Sequence, residues 1–102
     1  MKNINSIVTV SRTWFDRVNG NTYYSAKAVV DGVVAADLHF QYGSGSQIEH
    51  DVFTALADAN IIQPEISERG YMEAPWRYCE RMGINRVCLE AAPVARKRDL
   101  RF

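Results

Sequence analysis

Two dipeptides, Asn19-Gly20 and Asp31-Gly32, stand twelve residues apart and cut the first 42 residues into three segments, Ile7–Arg17, Asn21–Val29 and Val33–Tyr42. Asn-Gly and Asp-Gly are the short-range signals of a β-hairpin, because both residues tolerate the positive φ that tight turns require. Three strands joined by two such turns make an antiparallel meander. Register follows from the side-chain pattern, since a one-residue slip moves every side chain to the opposite face. A two-residue Asn19-Gly20 loop pairs Trp14 with Ser25 and mixes polar with apolar positions. A three-residue loop, Val18-Asn19-Gly20, pairs Trp14 with Tyr24, Val10 with Ala28 and Val8 with Val30. The same closure at Val30-Asp31-Gly32 pairs Tyr24 with Leu38, Ala26 with Ala36 and Ala28 with Val34. This register predicts a core face of Val8, Val10, Trp14, Tyr24, Ala26, Ala28, Val34, Ala36, Leu38 and Phe40, with Arg12 as its misfit.

Beyond Gly43-Ser44-Gly45-Ser46 the apolar period becomes helical. Ile48, Val52, Ala55, Leu56 and Ala59 form one stripe of a helix from about Gln47 to Ala59, with Ser46 as N-cap and Glu49 completing a capping box. That helix should cover the even-numbered face of the meander. Residues 60–74 show no period, and a connection of that length is either a binding element or loosely ordered. Pro75 at a first helical position and Gly83 past the end bracket a short second helix that buries Trp76, Cys79 and Met82. Arg86–Glu90 reads as a fourth strand extending the sheet. The predicted fold is α+β in the order β-β-β-α-α-β: one domain over residues 1–95, which suits a chain of 102 residues, and a basic tail over 96–102.

Charge and composition narrow the functional classes. Twelve Lys and Arg balance twelve Asp and Glu, which argues against proteins that work through a bulk polycationic or DNA-mimicking acidic field. The zero is a cancellation. Residues 1–63 hold four cations against six anions, residues 64–102 eight against six, and the last seven residues four against one. No apolar run reaches the length of an export signal or membrane span, so the expected location is a cytoplasm, that of the host cell if the chain is phage-encoded. Cys79 and Cys88 are then expected as reduced thiols. No Cys/His spacing fits zinc, and neither a GxSxG elbow nor a paired-carboxylate motif occurs, so no cofactor, metal or catalytic residue is assigned. His39 and His50 fall on elements that should not converge. The Gly43–Ser46 link before a helix has the form of an anion site, although capping already explains its residues.

The second sheet face carries more chemistry. Thr13, Phe15, Arg17, Tyr23, Ser25, Lys27, Asp37, His39 and Gln41 share it in this register, interleaving aromatics with cations as single-stranded nucleic-acid platforms do. The plain alternative is that the 65–74 loop, the second helix or the C-terminal strand covers this face. Candidate contact residues are Phe15, Arg17, Tyr23, Lys27 and His39 on the sheet, Arg69 and Tyr71 in the long loop, and Arg96, Lys97 and Arg98 in the tail. A solvated tail is the plain reading of the last three.

The segments Ser11-Arg12-Thr13-Trp14-Phe15-Asp16-Arg17-Val18-Asn19-Gly20-Asn21-Thr22-Tyr23-Tyr24-Ser25, Phe40-Gln41-Tyr42-Gly43 and Ala74-Pro75-Trp76-Arg77-Tyr78-Cys79 resemble those of short proteins of bacteriophages and related mobile elements. No activity comes with that likeness, so it transfers no catalytic residue. It implies a class: small binders of host proteins, among them inhibitors of defence systems such as anti-CRISPR proteins, or nucleic-acid accessory factors. The expectation is a non-enzymatic module, monomer or homodimer, that occupies a surface of a host protein or complex. The alternative is a single-stranded nucleic-acid binder that uses the aromatic and basic sheet face with the tail.

Overall fold

The computed structural model describes residues 3–90 and 93–100. Strand β1 (Ser6–Asp16) pairs antiparallel with β2 (Asn21–Val30), and β2 pairs antiparallel with β3 (Val33–Tyr42). Helix α1 (Ser46–Asp58) and helix α2 (Pro75–Met82) follow. Strand β4 (Asn85–Glu90) then returns to lie parallel to β1, giving a mixed four-stranded sheet in the order β3-β2-β1-β4. The α+β class and the element order are those the sequence predicts.

The first hairpin corrects the predicted register by one residue. Trp14 lies opposite Tyr23 and Val8 opposite Val29, because the connection is four residues long, Arg17 to Gly20, instead of three. Asp16 is the cause. Its carboxylate accepts hydrogen bonds from the Val18 and Asn19 amides (3.0 and 3.3 Å) and from the Asn19 side chain (2.8 Å), while Gly20 N–H donates to the Asp16 carbonyl at 2.7 Å. An Asp that bonds the backbone two residues on builds its own turn and moves the hinge ahead of Asn-Gly. The Asn19 side chain, with these amides, holds the Asp16 carboxyl below the usual carboxylate range.

The slip inverts β1. Ile7, Thr9 and Ser11 are buried against the helical layer, whereas Val8, Val10, Arg12 and Trp14 belong to the second face. Arg12, the misfit, thereby leaves the core. Phe15, predicted beside Tyr23, turns to the helix side with Thr13. The second hairpin is also corrected, to a two-residue loop: Asp31 and Gly32 both have positive φ (50° and 86°), the conformation whose twist suits a tight hairpin. Asp31 also accepts the Asn5 and Ser6 amides, both at 2.9 Å, which ties this turn to the start of β1. Two irregularities in β3 follow, at Ala35 and at His39–Phe40. They keep Ala36 and Leu38 on the helix side but turn Phe40, expected in the core, to the other face, where it has a φ of 48°.

Helix α1 covers Ile7, Tyr24, Ala26 and Ala28 with Ile48, Val52, Phe53 and Leu56. Full burial of such side chains contributes about 1.5–3 kcal/mol each. The predicted capping box does not form: Gly45 is the N-cap, no side chain caps it, and Glu49 instead reaches across to Arg86. The Tyr24 hydroxyl, inside this core, donates to Asp51 at 2.6 Å, and burial beside that carboxylate pushes its ionisation well above the usual phenol range. Helix α2 has the predicted Pro75 start and left-handed Gly83 cap, but it buries Tyr78 with Cys79 and leaves Trp76 and Met82 half-exposed. Residues 65–73 form a small hairpin, bridged at Ile66 and Met72. Glu73 pins it to α2 by a two-point bond to Arg81 (2.8 and 3.0 Å), and Ile62 before it is buried.

Two predictions follow from this packing. Thr9 Oγ1 is buried without a hydrogen-bond partner among the described residues. Thr9→Val removes that uncompensated hydroxyl at equal shape, so urea unfolding should show a gain of about 1 kcal/mol. The Arg81 bonds hold the Glu73 carboxyl below the usual range. Its contribution is therefore fully present above the unfolded-state pKa of about 4.3 and is lost as pH falls through the lower folded value. Glu73→Gln should flatten that acid limb of the stability profile.

Candidate functional site

The second sheet face is covered by the chain's own C-terminal segment. Val94 continues beside β1 in a parallel bridge with Trp14, its N–H donating to the Thr13 carbonyl at 2.8 Å. Residues Lys97–Leu100 then make one 3-10 turn across the sheet. Leu100 is 3% exposed, and the buried Ser25 hydroxyl donates to its carbonyl. Where the sequence predicts a solvated tail, residues 97–100 are thus seated on the sheet. Arg101 and Phe102, the end of that tail, lie outside the described residues.

Beside this turn runs a column of rings. Tyr23 stacks between Trp14 (centroids 6.0 Å apart) and Phe40 (4.7 Å), and Tyr42 meets Tyr23 edge-on at 5.7 Å. The Lys97 ammonium sits 4.4 Å above the Phe40 ring. Such a contact is worth about 0.5–1 kcal/mol at an exposed site. Phe40 can reach both neighbours only because the β-bulge re-aims it, and a non-glycine residue with a left-handed backbone carries strain to hold that pose. Between the strands and the turn opens a groove of about 1100 Å³, lined by Ser25, His39, Phe40, Arg96, Lys97, Arg98 and Leu100. Among the described residues no carboxylate lines it. His39 Nε2 lies 3.5 Å from Asp37.

Four of the predicted contact residues, His39, Arg96, Lys97 and Arg98, therefore meet around one groove. Tyr23 adjoins it through the ring column, and Lys27 lies on the same face opposite Asp37. Phe15 is on the other face and half-exposed, Arg17 is in the first turn, and Arg69 and Tyr71 are at the tip of the 65–73 hairpin, away from the groove lining. Phe40, Trp14 and Leu100 are the additions. The β1 slip and the Phe40 bulge hide the first two from an alternating pattern, and Leu100 is a lone apolar residue in a charged run.

No family model, curated protein or solved structure matches this chain. The chemistry of the site stands on its own residues.

Around the thiols the structure offers little reactivity. Cys88 donates to Glu49 Oε2 at 2.8 Å, and that carboxylate is itself bound by Arg86 (2.7 and 2.9 Å). Burial, then the Glu49 hydrogen bond, pushes the Cys88 thiol up to about 11, and burial does the same to Cys79. Among the described residues no cluster of three or more His, Cys, Asp or Glu side chains is placed to hold a metal, and no helix is long and apolar enough to cross a membrane. The thiolate is the reactive form of cysteine. Alkylation of either thiol by iodoacetamide at pH 8 should run about a hundredfold slower than for an unperturbed cysteine and accelerate only as pH approaches 11, as timed mass spectrometry would show.

Proposed function

We propose that the protein is a non-enzymatic binding module that acts by occupying an acidic surface of another protein, and that the C-terminal groove is the working surface. One observation carries this reading: in a chain of zero formal charge, Arg96, Lys97, Arg98 and His39 converge on a single groove that, among the described residues, no carboxylate lines. Such local charge steers association and selects partners by sign. Apolar and aromatic area at Phe40 and Leu100, next to guanidinium groups, is the residue mixture that anchors protein interfaces. The likeness to phage proteins makes a host protein or complex the expected partner, in the manner of a defence inhibitor.

Single-stranded nucleic acid is the second reading, favoured by the rings beside the cations. It is the weaker one, because the ring faces of Tyr23 and Phe40 at the groove are taken. Tyr23 is enclosed by Trp14 and Phe40, and Lys97 occupies the outer side of Phe40, so a base could stack there only by displacing it.

Affinity capture from host lysate, with and without nuclease, separates the two. The native chain should retain a stoichiometric, nuclease-resistant protein, and the triple variant Arg96→Glu, Lys97→Glu, Arg98→Glu should lose it while keeping its circular dichroism. A nuclease-sensitive capture would transfer the groove to the second reading. Equal retention by native and variant chains would overturn both.

A further inference from the structure

Strand β4 is a margin of the sheet, with β1 on one side and, among the described residues, no strand on the other. It pairs with β1 in unbroken register from Asn85 to Glu90, whereas β3 at the opposite margin is interrupted at Ala35 and at His39–Phe40. Proteins blunt exposed strand edges with bulges, prolines or charged side chains. Strand β4 contains no proline, and its one cation, Arg86, is drawn onto Glu49 of α1 at 2.7 Å. Leu89, on the other face, is 53% exposed.

Backbone parity decides what this edge offers. Asn85 N–H donates to the Asn5 carbonyl at 2.9 Å, so Asn85, Val87 and Leu89 turn their backbone groups to β1. Arg86, Cys88 and Glu90 turn theirs outward. An antiparallel strand added here must set its own outward-facing residues against these three, since opposed residues exchange both N–H···O bonds or neither. Strand β4 is itself such a strand. It reads Arg86-Val87-Cys88-Leu89-Glu90, basic at one end, acidic at the other, and aliphatic on either side of Cys88. A two-fold axis through Cys88 sets Arg86 opposite Glu90 of a second copy, Val87 opposite its Leu89, and Cys88 opposite its Cys88. Opposite charges facing across a strand pair stabilise it, and like charges destabilise it. Moving the strand to the next register of the same parity, in either direction, loses the Arg86–Glu90 match.

We infer that the protein forms a two-fold symmetric dimer by antiparallel pairing of β4 with β4 of a second copy, which joins the two sheets into one. The contact is self-complementary in charge, in apolar side chains and in backbone parity, as an isologous interface requires. Helix α2 leads into the Asn85 end of β4 through Gly83. An axis at Cys88 holds the two Asn85 ends about 20 Å apart along the paired strands, so the α2 helices stand at opposite ends. Zero formal charge leaves no net repulsion between copies. The inference does not rest on the C-terminal groove.

Sedimentation velocity and NMR of mixed labelled and unlabelled chains test it. A contact through one strand is smaller than a standard stable interface, so the mass should rise from one chain toward two between about 10 μM and 1 mM. An isotope-filtered Overhauser signal should link Val87 Hα to Leu89 Hα of the other copy, because those residues face each other as a non-hydrogen-bonded pair. Glu90→Lys places like charges opposite each other at two symmetric positions and should weaken association about tenfold. Cys88→Pro removes an outward N–H and should abolish association. Both variants should keep the native circular dichroism, and Glu90→Lys alone carries the test if Cys88→Pro fails to fold. The triple Arg96→Glu, Lys97→Glu, Arg98→Glu variant should dimerise as the native chain does. A chain that stays monomeric at 1 mM, association indifferent to Glu90→Lys, a dimer without the Val87–Leu89 signal, or loss of the dimer in the triple variant would each overturn the inference.

Discussion

The carboxylate of Asp16 governs more of this molecule than any other single group. By accepting the Val18 and Asn19 amides it sets the length of the first turn, and turn length sets which side chains of β1 face the helices. Strand β1 lies inside the sheet, between β2 and β4, so its parity is passed to both sides. Ile7 reaches the core because of it. Trp14 joins Tyr23 because of it, and the hydroxyls of Ser11 and Thr13 come to lie under α1. The ring column beside the groove thus depends on one Asx-type turn.

Much of the architecture is legible in the sequence, and what is legible shares a property: it depends on residues close in the chain. The two hairpins, the limits of α1, the Pro75 start and the Gly83 stop of α2 are local decisions, made by turn chemistry and helix capping. Tyr24, Ala26, Ala28, Ala36 and Leu38 are legible as core because the alternation of β2 is unambiguous. The register of β1 was not legible from alternation, since Val8-Thr9-Val10-Ser11 offers acceptable side chains on either face. Arg12, unfit for a core, was the one residue that marked the error. The failed capping box has a tertiary cause. Glu49 stands at capping-box spacing from its own helix end, but a guanidinium from β4 competes for it more strongly.

The site divides along the same line. The cations at 96–98 are plain in the sequence as charge, whereas their docking rests on Leu100 and on the Ser25 hydroxyl, seventy-five positions earlier. No local pattern encodes that pairing. The same segment that supplies the positive charge also shields Trp14 and Tyr23 from solvent, so the basic groove and the partly covered aromatic face are two results of one docking event.

The irregular strand β3 bears on how the molecule behaves among its own copies. At the margin of the sheet it presents ten residues with one row of backbone groups facing outward, a template that another chain could extend. The interruptions at Ala35 and at His39–Phe40 leave only Ala36–Leu38 in unbroken register between them, three residues and short of the usual five or six of a strand. An incoming strand would lose step at either end of that stretch. The distortion that aims Phe40 into the groove thus also spoils the exposed margin as a template for an added strand.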